Sequence, residues 1–162
     1  MQLTDYVKKD TIFLNCQAQS RAELFSKVSD KLLNEGYVKK GFLDFINHRE
    51  DNYPTGLQLQ NHTVAIPHGD PQFINKPFVA VITLTKPITM RRMDDATIKL
   101  PVDTLFTLGL TNGSDHLDLL KEIMKLLQTD SFVQQIKNCT NKDEVETVIR
   151  VAEKKRKENS DD

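Results

Sequence analysis

Three short apolar runs constrain this chain more than anything else in it: "TVAI" (63–66), "FVAVITL" (78–84) and "DTLFTLGL" (103–110), each bounded by Pro, Gly or Asn. They are too short for independent helices. Their unbroken apolar character, in place of alternation, is what a strand needs when both of its faces are covered. A fourth run, "TIFLN" (11–15), is β-branched and aromatic and fits a first strand. Sheets covered on both faces require helices on both sides, and the remaining sequence supplies them.

"SRAELFSKVSDKLLNEGY" opens with Ser20 and Glu23 at capping-box spacing, repeats Leu24, Val28 and Leu32 every fourth position, and stops at Gly36. A second helix is predicted from about Lys39 to Glu50, with Phe42, Phe45 and Ile46 turned inward and Arg49 continuing that row at the helix end. "SDHLDLLKEIMKLLQ" (114–128) is the strongest helical pattern. Ser114 is placed to cap it, His116 opens its apolar stripe, and Leu120, Ile123 or Met124, and Leu127 continue it. A short helix near 130–138 and a last one from about Asn141, with Glu144 at capping-box spacing, lead to the charged end "EKKRKENSDD", read as a frayed tail. The predicted fold class is therefore α/β: one domain over residues 1–152, a mixed β-sheet sandwiched between α-helices, with 153–162 as a charged C-terminal tail.

Charge and cysteine usage exclude several classes of function. The 162 residues carry a formal net charge of −1, so the excess of Lys and Arg by which nucleic acids and anionic membranes are bound is absent. No run of eighteen apolar residues occurs, so no direct membrane insertion is expected. Cys16 and Cys139 form no paired framework and no CxxC, which places the chain in the reducing cytoplasm, and the N-terminal residues lack the apolar run of a signal peptide. Neither a metal nor a cofactor is expected: there is no HExxH, no EF-hand loop and no Walker A loop.

Chemistry concentrates instead in "HREDNYPTGLQLQNHTVAIPHGD" (48–70), which holds three of the four histidines, an arginine and a cluster of turn residues. Pro67 biases Ile66 toward extended backbone and removes a ladder donor, so the strand should end there with His68 on a rigid support. Crevices beyond strand ends are common ligand sites in open α/β sheets. A lone Pro-His more often marks a histidine bonded to its own turn, but the neighbours of His68 suit phosphoryl transfer. Imidazole is unprotonated near neutrality and, once phosphorylated, is a good leaving group. It needs its second nitrogen held by an acceptor, for which the backbone near Gly69 or Asp70 is a candidate. The transferred group needs cationic and N–H donors around its oxygens, and Arg49, the Thr55 hydroxyl and the Gly56 amide are of the right types. In the same position Arg49 could equally stabilise a helix C-terminus. His116, on a first helical turn, suits a group donating to an anion or to His68, or else a satisfied boundary side chain. His62 lies at an even offset from His68 and would share its face on a continuous strand, while His48 faces water.

"REDNYPTGL" (49–57) followed by "VAIPHG" (64–69) resembles the paired signature of the type-2 enzyme IIA components of the phosphoenolpyruvate:sugar phosphotransferase system (PTS), the mannitol/fructose superfamily. The likeness covers nearly the whole chain, including "HLDLLKEIMKLLQ", and His62 before the phosphoacceptor is similar to the galactitol-type branch. The resemblance implies the mannitol/fructose-type IIA fold. It also implies that His68 takes a phosphoryl group, on Nε2, from phospho-HPr and passes it to a cysteine of a IIB component coupled to a membrane IIC. By the same resemblance Arg49 is the arginine beside the active site, His116 the second histidine of mannitol-type members, and Thr55, Gly56 and His62 line the site. A nitrogen-type IIA, signalling by its phosphorylation state, is the alternative within the same superfamily.

Overall fold

In the computed structural model, which describes residues 2–160, five strands and five helices follow in the order β1 (Ile12–Cys16), α1 (Arg21–Asn34), α2 (Phe42–Asn52), β2 (Gly56–Gln58), β3 (Thr63–Ala65), β4 (Phe78–Arg92), β5 (Asp95–Gly109), α3 (Gly113–Leu127), α4 (Asp130–Asn138) and α5 (Lys142–Ser160). The sheet is mixed. β1 runs parallel to β4, β4 antiparallel to β5, β3 parallel to β5 and antiparallel to β2, and β2 returns to β4 where Gly56 meets Arg92.

The unbroken apolar runs have the predicted cause. Along β4, Val79 and Val81 enter the core beneath α3, α4 and α5, while Phe78, Ala80 and Ile82 enter the core beneath α1 and α2. β5 divides the same way, Phe106 and Leu108 to one side and Leu105 and Val102 to the other. Each such side chain removed from water contributes roughly 1.5–3 kcal/mol, which fixes the register, because a slip of one residue would exchange the two faces.

The hairpin is longer than the sequence reading, which ended one strand at residue 84 and began the next at 103. Beyond an irregularity between Thr83 and Ile88, the strands continue to a tight turn at Met93 and Asp94. In this outer half only one face is covered, by Ile88, Met90, Leu100 and Val102, so the pattern alternates, and Pro87 and Pro101 read as breaks. β2 is a further strand the sequence did not disclose.

The helices match their patterns with three corrections. α3 is capped by Asn112, whose Oδ1 accepts the Asp115 N–H at 2.8 Å, and Ser114 only donates to that cap. The buried stripe of α3 is Leu119, Ile123, Leu126 and Leu127, with Leu120 and Met124 on its flank. The charged end from Glu153 to Ser160 is not frayed, because α5 runs through it. Glu153 is 2% exposed and accepts the Leu3 N–H at 2.7 Å, the Thr4 N–H at 2.8 Å and the Thr4 hydroxyl, tying α5 to the first residues of the chain. Arg156 pairs with Glu122 of α3. Asp161 and Asp162, the rest of that segment, lie outside the described residues. Among the described residues no helix is long and apolar enough to cross a membrane.

Candidate active site

β3 carries the chain from the Leu59–His62 turn to Pro67 and His68. His68 does not sit on a free loop: the Pro67 carbonyl accepts the Leu108 N–H at 2.9 Å, the Gly69 N–H donates to the Leu108 carbonyl at 2.8 Å, and His68 bridges Leu108 in parallel register. Pro67 brings no N–H of its own to this exchange. Gly69 is packed so closely that a Cβ there would lie 2.8 Å from the ring of Phe42.

The ring of His68 meets that of His116, on the first turn of α3, edge to face at a centroid separation of 4.8 Å. Arg49, in the last turn of α2, lies with its guanidinium carbon 5.2 Å from the centre of the Tyr53 ring. Its charge is felt by both imidazoles. Burial first, then His116, then Arg49 push the His68 pKa down from 6.5 to about 4, and burial followed by Arg49 lowers that of His116. At neutral pH the His68 ring is uncharged, with a lone pair to offer. Nδ1 is buried and has no well-formed hydrogen bond. The carbonyls that act on the ring, favouring its protonated form, are those of Ile66 and Pro67, not the backbone of Gly69 or Asp70. With Nδ1 turned into the protein, Nε2 is the nitrogen left for a partner.

His68 and His116, far apart in the sequence, are thus brought into ring contact, with Arg49 near enough for its charge to act on both. Thr55 and Gly56 are not available in the way expected. Thr55 is buried, and both its N–H and its hydroxyl donate to the Glu50 carboxylate, at 2.6 and 2.7 Å. Gly56 is buried in β2, where a Cβ would lie 2.5 Å from the Arg91 carbonyl oxygen, so this glycine answers to the close approach of β4. His62 sits at the opposite end of β3, its carbonyl closing the turn with the Leu59 N–H, roughly 20 Å along an extended backbone from His68. His48 is exposed and contacts Asn52.

Sequence reasoning missed Glu50, a carboxylate only 3% exposed. The signal was there: Glu50 follows Ile46 by four residues and Phe42 by eight, so it continues the buried face of α2 more directly than Arg49 does. Tyr53 and Leu117, adjoining Arg49 and His116 respectively, are among the few large apolar side chains left exposed. Among the described residues no cluster of His, Cys, Asp or Glu has the arrangement of a metal site.

Known proteins are similar to this chain in sequence and in fold. The chain is 25% identical over 116 residues to the PTS system galactitol-specific EIIA component of Escherichia coli K12, covering 72% of this chain and 77% of that one. It is 26% identical over 155 residues to the nitrogen regulatory protein of Bradyrhizobium diazoefficiens, covering 92% and 95%. The fold superposes with a TM-score of 0.73, at 19% identity and over 90% and 97% of the two chains, on the E. coli mannitol IIA enzyme solved in complex with phosphorylated mannitol IIB. Residues 5–151 match the family described as "Phosphoenolpyruvate-dependent sugar phosphotransferase system, EIIA 2", and the chain belongs to that family of phosphotransferases.

Proposed function

We propose that this protein is a cytoplasmic phosphocarrier of sugar uptake in which His68 receives a phosphoryl group from phospho-HPr and gives it to a cysteine of a IIB component serving a membrane IIC. The Nε2 lone pair attacks phosphorus as the P–N bond of the donor histidine breaks, and the reverse geometry delivers the group to the IIB thiolate. Nδ1 keeps the ring proton throughout, facing the Ile66 and Pro67 carbonyls. Arg49 stabilises charge on the equatorial oxygens, and His116 supports the group from its other side. Thr55 and Gly56 act on the site through the backbone that presents it, and His62 does not contact the transferred group. The observation that carries the reading is the uncharged, edge-on imidazole of His68 with a guanidinium within electrostatic reach.

The test is incubation with phosphoenolpyruvate, the first PTS enzyme and HPr. One acid-labile, alkali-stable phosphoryl group per chain is expected, and none on His68→Ala. Label persisting on H68A would remove the assignment. Galactitol is the favoured sugar class, given the galactitol-specific relative, and transfer to galactitol, mannitol and fructose IIB domains compared side by side decides it. The relative named a nitrogen regulatory protein, matched over nearly all of both chains, supports a second reading in which the phosphorylated form binds regulatory targets. Failure to transfer to any IIB domain, with phosphorylation intact, would favour that one.

A further inference from the structure

Resting on that reading of His68 and Arg49, we propose that Glu50 is a positioning residue that sets Arg49 against His68 through its clamp on Thr55. The guanidinium has no hydrogen bond to hold its inner nitrogen: Arg49 Nε is buried and unpartnered, and the side chain rests on the face of Tyr53. The placement of this cation therefore depends on where its backbone lies. Glu50, the next residue, ties this end of the helix to the turn that follows it. Its two oxygens accept the N–H and the hydroxyl of Thr55, and the Thr55 carbonyl in turn accepts the Ile66 N–H at 3.2 Å. Ile66 is two residues before His68. A chain of hydrogen bonds thus runs from the residue beside the cation to the strand that presents the imidazole.

The local sequence explains why a side-chain acceptor is required. Tyr53 spends its N–H on the Arg49 carbonyl, closing the helix, and Pro54 has none. Thr55 carries the first backbone donor after the helix with no main-chain acceptor in reach, and it is buried. A neutral acceptor would satisfy it with a smaller desolvation cost than a carboxylate. A carboxylate accepts both Thr55 donors at short distance and holds the turn with little freedom. Burial raises the Glu50 pKa, and the hydrogen bonds from Thr55 together with the charges of Arg21 and Arg49 oppose that rise.

The experiment compares wild type, E50A, E50Q, R49A and the E50A/R49A double variant. Initial rates of phosphoryl acceptance are measured over a range of phospho-HPr concentrations, and the His68 ring is titrated by NMR. E50A should lower kcat about tenfold while leaving KM for phospho-HPr within about twofold, since misplacement affects the reacting geometry and not docking. The His68 titration should move upward in E50A, because a cation that depresses it has shifted away. E50Q, whose amide can still accept from the Thr55 N–H and donate to its hydroxyl, should recover most of the loss. E50A should cost nothing further in the R49A background. Equal losses from E50A in both backgrounds, an unmoved His68 titration, or an E50Q as slow as E50A would each overturn the proposal. T55V, which removes one bond of the two, gives a smaller version of the same pattern should E50A fail to fold. Phosphorylation of H68A would instead remove the assignment of the transferred group to His68, and the NMR titration would still show whether Glu50 sets Arg49.

Discussion

Two buried carboxylates do the same local job in different parts of the molecule. Glu50 accepts the N–H and hydroxyl of Thr55, and Glu153 accepts the N–H and hydroxyl of Thr4 together with the N–H of Leu3. Both are almost fully buried. They differ in what lies beyond them: Glu50 is one residue from Arg49 and linked through Thr55 and Ile66 to His68, whereas Glu153 joins α5 to the N-terminal turn. A buried acid clamped on a threonine is therefore not in itself a mark of chemistry. The groups to which it transmits position decide whether it is structural or functional.

The largest effect that would sharpen this contrast is at Arg49. R49A should slow phosphoryl acceptance by about 10²–10³-fold, the loss typical of removing one transition-state donor, with little change in the urea midpoint. An R49A protein that accepts phosphate at the normal rate would detach Glu50 from the chemistry and make the two clamps equivalent. E153A should behave in the opposite way. Leaving the Leu3 and Thr4 amides unsatisfied should cost about 2–4 kcal/mol of stability, read from denaturant unfolding, while the phosphorylation rate at a temperature where the protein is folded stays unchanged.

Acid should separate the regions next. The folded pKa of His68 lies below its ordinary value, so between pH 6.5 and about 4 the unfolded chain binds a proton that the native one does not. Stability is then lost as pH falls through that window, by at most about 3 kcal/mol from this group, and His116 acts in the same direction. Glu50, with its pKa raised, has the opposite sign, binding its proton more readily when folded. Unfolding midpoints of wild type and H68A at pH 7 and pH 5 should converge toward the acid end, and a constant difference between them would contradict the burial of the ring. The smallest effect expected is at the far end of β3: H62A should change the phosphorylation rate by less than about twofold, as befits a residue remote from the reacting atoms.

Much of this was legible in the sequence where one physical demand dominates. Burial on both faces wrote the inner halves of β4 and β5 as continuous apolar runs, and Pro67 announced the end of the strand that presents His68. Where two demands compete, the pattern faded. Ile88, Met90, Leu100 and Val102 alternate as a one-sided hairpin should, but Pro87 and Pro101 break the run. Thr55 looked like a phosphate ligand because its type is right, yet its donors are taken by a carboxylate whose partner no spacing rule names. The meeting of His116 with His68 depends on where α3 packs against the sheet, a long-range result that the forty-seven intervening positions do not encode locally.

The bracketing of His68 by Leu108 has a kinetic consequence. With the main chain held on both sides, the phosphorylated ring can swing about only two side-chain bonds, so it faces one approach and cannot be carried from a donor berth to an acceptor berth. In the proposed relay the two partners must therefore queue for a single doorway. Exchange should follow ping-pong kinetics, with each partner inhibiting the other competitively and no three-protein assembly forming on the way.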